Sequence, residues 1–279
     1  MKICANTLLY LEEPIAASLE KLATMGFLAV DIFADSPVLD YRRVPSPDVD
    51  CIKMLGQRYG LEYSMHGPCW DINPASENAA HREDVVVHYL QGIRLAAAIG
   101  ANTMVVHSGW KSDSKLSAQD ALKYSADTIA RCAPEAERLG VTLGVENVGY
   151  GAVNMFHGIE DWVNIAQAVA SPAVGLTLDV GHAVLEGFDP AAAVLAAGPR
   201  LKHVHLHSNM GKADDHLRLD CGIVDFGPVV QALCKIGFMG HASIEIYAPA
   251  GEQEAALQAS RKLLEELWGR CKPQAGGMS

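Results

Sequence analysis

The sequence predicts a single (β/α)8 barrel, and three observations carry the prediction. A helix–glycine–strand unit recurs along the chain, eight strand candidates can be counted, and no glycine-rich phosphate loop follows the first of them. The unit is an Ala/Leu-rich amphipathic run, a Gly that ends a helix, and a short β-branched apolar run. Its clear copies are "KLATMGFLAVDIF" around Gly26, "LGQRYGLEYSMH" around Gly60, "LAAAIGANTMVVH" around Gly100, "EAERLGVTLGVE" around Gly140 and "LCKIGFMGHASIEI" around Gly237. A Pro-led turn replaces the Gly in "VASPAVGLTLD" and "AGPRLKHVHLH", and "MKICAN" supplies the first strand.

Helix starts are marked by Pro14, Pro47 and Pro190 at or near the first helical position, and by Ser117 three residues before Asp120. The strand runs read as nearly continuous apolar stretches, as in a parallel sheet covered on both faces. A chain of 279 residues could be one domain or two at roughly 150 residues each, but eight β/α units favour one barrel over two doubly wound halves. An open sheet of that kind would carry its Gly-rich loop after the first strand, where "CANTLLYLEEP" has none. The barrel is expected over residues 1–271, with "KPQAGGMS" (272–279) as a frayed tail.

Composition excludes several classes. With 49% hydrophobic and 20% charged residues, the chain is neither disordered nor collagenous. A formal charge of −11 argues against an electrostatic nucleic-acid binder, though a local basic patch stays open. The seven cysteines are scattered and contain no Cys-x-x-Cys, which speaks against a disulfide framework or thiolate zinc site and for a reducing cytoplasm. No signal-peptide pattern opens the chain and no stretch is apolar for 18 residues, so no membrane partner is expected.

The strand ends carry the chemistry. The third to eighth strand candidates end on or near His66, His107, Glu146, Asp179, His205 and Glu245, at intervals of one β/α unit, so a barrel brings all six to one rim. That rim is where barrel enzymes keep their active sites. Imidazoles and carboxylates gathered there without thiolates suit Zn²⁺ or Mn²⁺, whose charge would offset the repulsion among Glu146, Asp179 and Glu245. His182 stands three residues after Asp179, and the longest loop adds Asp214 and His216 as a second short ligand pair. His203 and His207 share the strand face of His205 and are read as supporting or substrate-contacting residues, while His81, His88, His157 and His241 are read as structural.

These residues resemble the xylose isomerase-like barrels, a superfamily of sugar isomerases, ketose epimerases and endonuclease IV. "HGPCWDIN", "HSG", "VEN", "LDVGHAVLEGFD" and "HLHSNMGKADDHLRLDCGIVDF" are similar to the metal-binding segments of endonuclease IV, although Asp220 stands where that family has the first Gly of a Gly-x-Gly turn. The resemblance implies a first metal on His66 and His107, bridged by Glu146 to a second on Asp179, His205 and Glu245, and a third on His182, Asp214 and His216. In the ketose epimerases it implies one Mn²⁺ on Glu146, Asp179, His205 and Glu245. One to three divalent ions per chain are therefore expected.

Two chemistries follow. As an isomerase or epimerase of a small sugar or sugar phosphate, Glu146 and Glu245 would move protons and His182 would position the substrate oxygen. Trp70, Trp110 and Tyr150 would wall the sugar, and Lys212 is the nearest equivalent of the epimerases' Arg, with His207 as a further contact. As an endonuclease IV-like trinuclear zinc phosphodiesterase acting on abasic DNA, the complete nine-ligand set is favourable. Trp70 could then act as a wedge, but Arg42, Arg43, Lys111, Lys115, Lys212 and Arg218 are few cations for tracking phosphates. The small sugar is the preferred partner over DNA, a barrel that only binds carbohydrate is the third reading, and self-association into a homo-oligomer is left open.

Overall fold

The computed structural model describes residues 1–37, 39–148 and 151–271; Tyr150 and the 272–279 tail lie outside the described residues. Eight parallel strands close into a barrel: β1 (Lys2–Asn6), β2 (Ala29–Phe33), β5 (Glu62–His66), β6 (Ala101–His107), β7 (Thr142–Glu146), β8 (Val174–Asp179), β9 (Leu201–Leu206) and β10 (His241–Ile244). They follow chain order around the ring, and β10 closes it by pairing with β1. A two-stranded hairpin, β3 (Asp35–Ser36) and β4 (Leu39–Asp40), stands apart above β2.

The outer helices are α1 (Ile15–Thr24), α2 (Pro47–Tyr59), α3 (Ala79–Ile99), α4 (Ala118–Ala130), α5 (Ala133–Leu139), α6 (Ile159–Val169), α7 (Val180–Leu185), α8 (Pro190–Ala197), α9 (Phe226–Lys235) and α10 (Gln253–Cys271). Their ends obey the local signals. Gly60, Gly100 and Gly140 cap α2, α3 and α5 in the left-handed conformation, which only Gly adopts without a steric cost. Ser117 Oγ accepts the Asp120 amide hydrogen at 3.0 Å and opens α4.

Three elements were not visible in the pattern. Pro134 in the first turn of α5 separates it from α4, because a proline cannot continue the i to i−4 ladder. One turn of helix, α7, follows β8 directly and ends before Gly187, whose φ is +77°; α8 then starts at the expected Pro190 under an Asp189 cap. The hairpin has a positional purpose: Asp35 Oδ2 accepts from the Cys69 and Trp70 amides at 3.2 and 2.8 Å and fixes the loop after β5.

The strands differ in one respect from the continuous apolar runs predicted for them. Their outward faces are aliphatic (Val30, Ile32, Met65, Val106, Leu143, Val145, Leu176, Leu178, Val204, Leu206 and Ile244) and pack under helices through residues such as Leu19, Ile52, Ile93 and Leu233. The inward face is small or polar, with Cys4, Asp31, Ser64, Thr177, His203 and Ser243 all fully buried in the barrel. No helix among the described residues is long and apolar enough to cross a membrane.

Candidate metal centre

Strand register places the predicted residues where the spacing put them. His66, His107, Glu146 and Asp179 are the last residues of β5 to β8, His205 is the penultimate residue of β9, and Glu245 follows β10 with its amide donating to Leu206 O at 3.0 Å. Barrel closure then gathers them into two buried groups, joined through Asp179.

In the first group Glu146 is central. Its Oε2 lies 3.6 Å from His66 Nε2 and 3.4 Å from His107 Nε2, and its Oε1 lies 2.8 Å from His205 Nδ1. One carboxylate thus offers an oxygen to each of two ligand sets, as a bridging ligand must. Glu146, Asp179, His205 and Glu245 each present one ligand atom, all within 4.8 Å of one another. Donors spread around one ion at roughly 2.0–2.3 Å stand about that far apart.

The second group lies beside the first. His182 Nε2 and His216 Nε2 approach Asp214 Oδ2 at 3.1 and 3.2 Å. His207 joins them: its Nε2 is 3.6 Å from Asp214 Oδ1 and 2.9 Å from Asp179 Oδ1, and its ring stacks on His216 at 4.0 Å. His182, His207, Asp214 and His216 again lie within 4.8 Å of one another, so His207 belongs with the ligand-type residues and not with the cavity wall where its sequence position suggested a substrate contact.

The residues fit a cation. His66, His182 and His216 each bring Nδ1 to a backbone carbonyl (Gly67, Asn147 and Glu245, at 2.9, 3.0 and 2.8 Å). A ring that donates Nδ1–H presents a bare Nε2 lone pair, and these lone pairs point at carboxylates. Lone pair against anion is repulsive unless a proton or metal stands between. Glu146 Oε2, Asp179 Oδ2 and Asp214 Oδ1 are buried without a hydrogen-bond partner among the described residues, which marks the same need.

The electrostatics agree. Burial alone would raise the Glu146 and Asp179 carboxyls, but His205 and His66 around Glu146, and His182 and His207 around Asp179, hold both below the usual range. Burial pulls His216 down, yet Asp214 and Glu245 override it and push the ring up to about 9. His107 goes the other way, lowered to about 3, because burial outweighs its single carboxylate neighbour. A neutral imidazole and ionised carboxylates are the forms that bind metal.

Above the first group opens a cavity of about 320 Å³, lined by His66, His107, Glu146, His182, Asp214, His216 and Glu245 on its floor and by Trp70, Trp110 and Tyr247 on its walls. Asn73 clamps Trp110, donating to its carbonyl at 2.8 Å and accepting its amide hydrogen at 3.1 Å. Trp70 is 56% exposed and leans on Phe33, their rings 6.0 Å apart. Lys212 is exposed on the loop after β9 and does not line the cavity. Asp31, Asn6, Cys69 and Tyr247 were not singled out from sequence; Asp31 sits in the middle of an apolar strand run and carries no terminator signal. His81 and His88 bond to Asn73 N and Tyr41 Oη, outside the cavity.

Comparison with known proteins converges on the same architecture. An uncharacterized protein of Methanocaldococcus jannaschii is 30% identical over 254 residues, covering 88% of this chain and 83% of the relative. A ketose 3-epimerase of Arthrobacter globiformis is 25% identical over 161 residues, covering 57% of this chain and 54% of that protein. The crystal structure of a D-tagatose 3-epimerase-like protein superimposes with a TM-score of 0.86 at 27% identity, covering 97% of this chain and 98% of the other. A family model described as xylose isomerase-like TIM barrel matches residues 19–267, which take in seven of the eight barrel strands and every residue of both buried groups, and the chain belongs to that family.

Proposed function

We propose that the protein is a divalent-metal-dependent isomerase or epimerase of a small sugar or sugar phosphate. The observation that carries the reading is the pair Glu146 and Glu245: two buried carboxylates, with ligand atoms within 4.8 Å, in the floor of a cavity of about 320 Å³. That volume is at the small end of ligand pockets and suits a single monosaccharide. The epimerase names of two of the similar proteins support the same class.

A bound Zn²⁺ or Mn²⁺, held by Glu146, Asp179, His205 and Glu245, would supply Lewis acidity toward a substrate carbonyl or hydroxyl. The chain's own residues would do the rest. Glu146 and Glu245 stand on well-separated strands of the ring and would take and return a proton at adjacent carbons or on opposite faces of one carbon. His182, its Nδ1 fixed by Asn147 O, would hold a substrate oxygen by exchanging the Asp214 contact of its Nε2 for that oxygen. Trp110, Trp70 and Tyr247 would exclude water from the ring faces of the sugar.

The second buried group favours one alternative, a multinuclear zinc phosphodiesterase. His66 with His107, and His182 with His207, Asp214 and His216, exceed what a single-metal proton transfer needs. Charge speaks against a DNA substrate, since Arg42 and Arg43 pair with Asp40 and Arg218 with Asp220, leaving few rim cations to meet a phosphate backbone. The deciding experiment is metal content by mass spectrometry alongside two assays. Solvent deuterium entering a ketose, abolished by Glu146→Gln and retained in His66→Ala/His107→Ala, is the expected result. Chelator-sensitive incision of an abasic duplex with no deuterium uptake would overturn it.

A further inference from the structure

We propose that Asp31 is the positioning residue of the first cation group: by taking the Nε2 proton of His205 it turns the Nδ1 lone pair of that ring onto the ligand position shared with Glu146 and Glu245. The inference rests on the metal-centre reading above and extends it to a residue that touches neither the cavity nor any of the ligand oxygens.

Asp31 lies in the middle of β2, faces the barrel interior and has no exposed surface. A carboxylate so buried is tolerable only when its lone pairs are filled. Asn6 Nδ2 donates to Oδ2 at 3.1 Å, Ser64 Oγ donates to Oδ1 at 2.8 Å, and His203 Nε2 and His205 Nε2 both lie 3.2 Å from Oδ2. The carboxylate has no proton to give, so each of the two rings must donate to it. For His205 this fixes the tautomer, with the proton on Nε2 and Nδ1 bare.

The bare nitrogen faces Glu146 Oε1 at 2.8 Å, Glu245 Oε2 at 3.4 Å and Asp179 Oδ2 at 3.9 Å. The opposite tautomer would satisfy Glu146 but set the Nε2 lone pair against the buried Asp31 anion. His205 also differs from its neighbours. The rear nitrogens of His66, His182 and His216 meet backbone carbonyls, whereas that of His205 meets a charged carboxylate, the stronger acceptor and the one that raises ligand basicity. Asn6 extends the same control to a second ligand: it donates to Asp31 and also to Glu245 Oε1 at 3.0 Å. One residue under the floor thus orients His205 directly and Glu245 through an intermediary.

The test measures metal affinity, with Zn²⁺ and Mn²⁺ titrated separately into the metal-free protein against a chromophoric chelator. Asp31→Asn keeps the side-chain volume and removes the charge. The expected result is binding about 10- to 100-fold weaker than wild type, the usual cost of losing a carboxylate behind a ligating imidazole. A variant whose metal-free melting temperature falls while its metal affinity equals wild type would show a merely structural Asp31 and overturn the proposal. Wild-type protein that binds neither ion would instead overturn the metal-centre reading on which this rests. If Asp31→Asn does not fold, nitrogen-15 NMR of histidine-labelled, Zn²⁺-loaded wild type decides, with the His205 signal assigned by its loss in His205→Gln. A proton on Nε2 is expected, and a proton on Nδ1 overturns the proposal.

Discussion

Glu186 shows what this rim demands of a carboxylate. It closes α7 with both oxygens buried, and burial pushes its pKa up to about 8; the His182 ring opposes the rise, while Asp179 and Glu146 add to it. Glu146, more deeply buried still, is held low because imidazoles surround it. The same residue type therefore takes opposite protonation states some ångströms apart, decided by its partners. A folded pKa above the unfolded value near 4.3 gives a stabilising contribution that is complete below about pH 4.3 and is lost as pH rises through about 8. Glu186→Gln keeps the neutral shape at every pH. In metal-free protein the variant should match wild type near pH 4 and exceed it above pH 8, by an amount on the order of a few kcal/mol, measured by urea unfolding across that range. A difference that does not grow with pH would contradict the assignment. Residues of this kind escape a reading of the sequence, as does Asp31, because neither ends a strand and nothing beside them in the chain announces the partner across the barrel.

Among the elements, α7 bears most on the site. Asp179 ends β8 and caps α7, accepting the His182 amide hydrogen at 2.7 Å, so strand end and helix start are one feature and His182 is aimed by the first turn. The turn also needs Gly181. A methyl group there would stand 2.0 Å from His207 Cε1, so the ring in the second group occupies the space that the missing side chain leaves. Gly181→Ala should cost about 1–3 kcal/mol through overpacking and should displace His207. The check is a thermal melt paired with metal stoichiometry: loss of bound metal at the second group with the first group retained is expected, and unchanged stoichiometry would contradict it. At this scale much was legible. Helix ends at Gly60, Gly100 and Gly140 follow from the left-handed backbone each requires, and the helix starts follow from Ser and Pro. The short helix α7 leaves no signal in the sequence because six residues give no period to recognise, and the break between α4 and α5 is marked only by Pro134.

For the whole molecule, the barrel departs from the usual (β/α)8 arrangement in its interior, which is polar where branched aliphatic side chains ordinarily fill it. Its aliphatic layer lies between sheet and helices, and its interior holds Asp31, His203, His205 and the rim carboxylates. Four of the 33 acidic side chains, Asp31, Glu146, Asp179 and Glu245, are buried in the barrel, and an ion bound there would act on folding itself. A ligand that binds only the folded state stabilises it by about 4 kcal/mol at a thousand times its dissociation constant. For a chain of this size that corresponds to a melting temperature higher by about 10 °C. Exhaustive chelation should therefore lower the melting temperature by that order, and readdition of Zn²⁺ or Mn²⁺ should restore it. Because the groups are buried, the effect should persist in high salt, unlike surface ion pairing. A melting temperature indifferent to chelator would contradict it.

By itself the sequence determined the barrel and the set of residues that share its rim. Both are one-dimensional properties: a repeated helix–Gly–strand unit sets the strand count, and a polar residue at the end of the third to eighth apolar runs marks one rim whatever the fine geometry. Only the tertiary structure decided which of those residues face one another. It joined His207 to His182, Asp214 and His216, set Lys212 apart from the cavity, and brought Asp31 behind His205. Those relations depend on barrel closure, on the stagger between strands far apart in the chain and on which nitrogen each ring turns forward. Such distances across the barrel leave no trace in the spacing of residues along one strand.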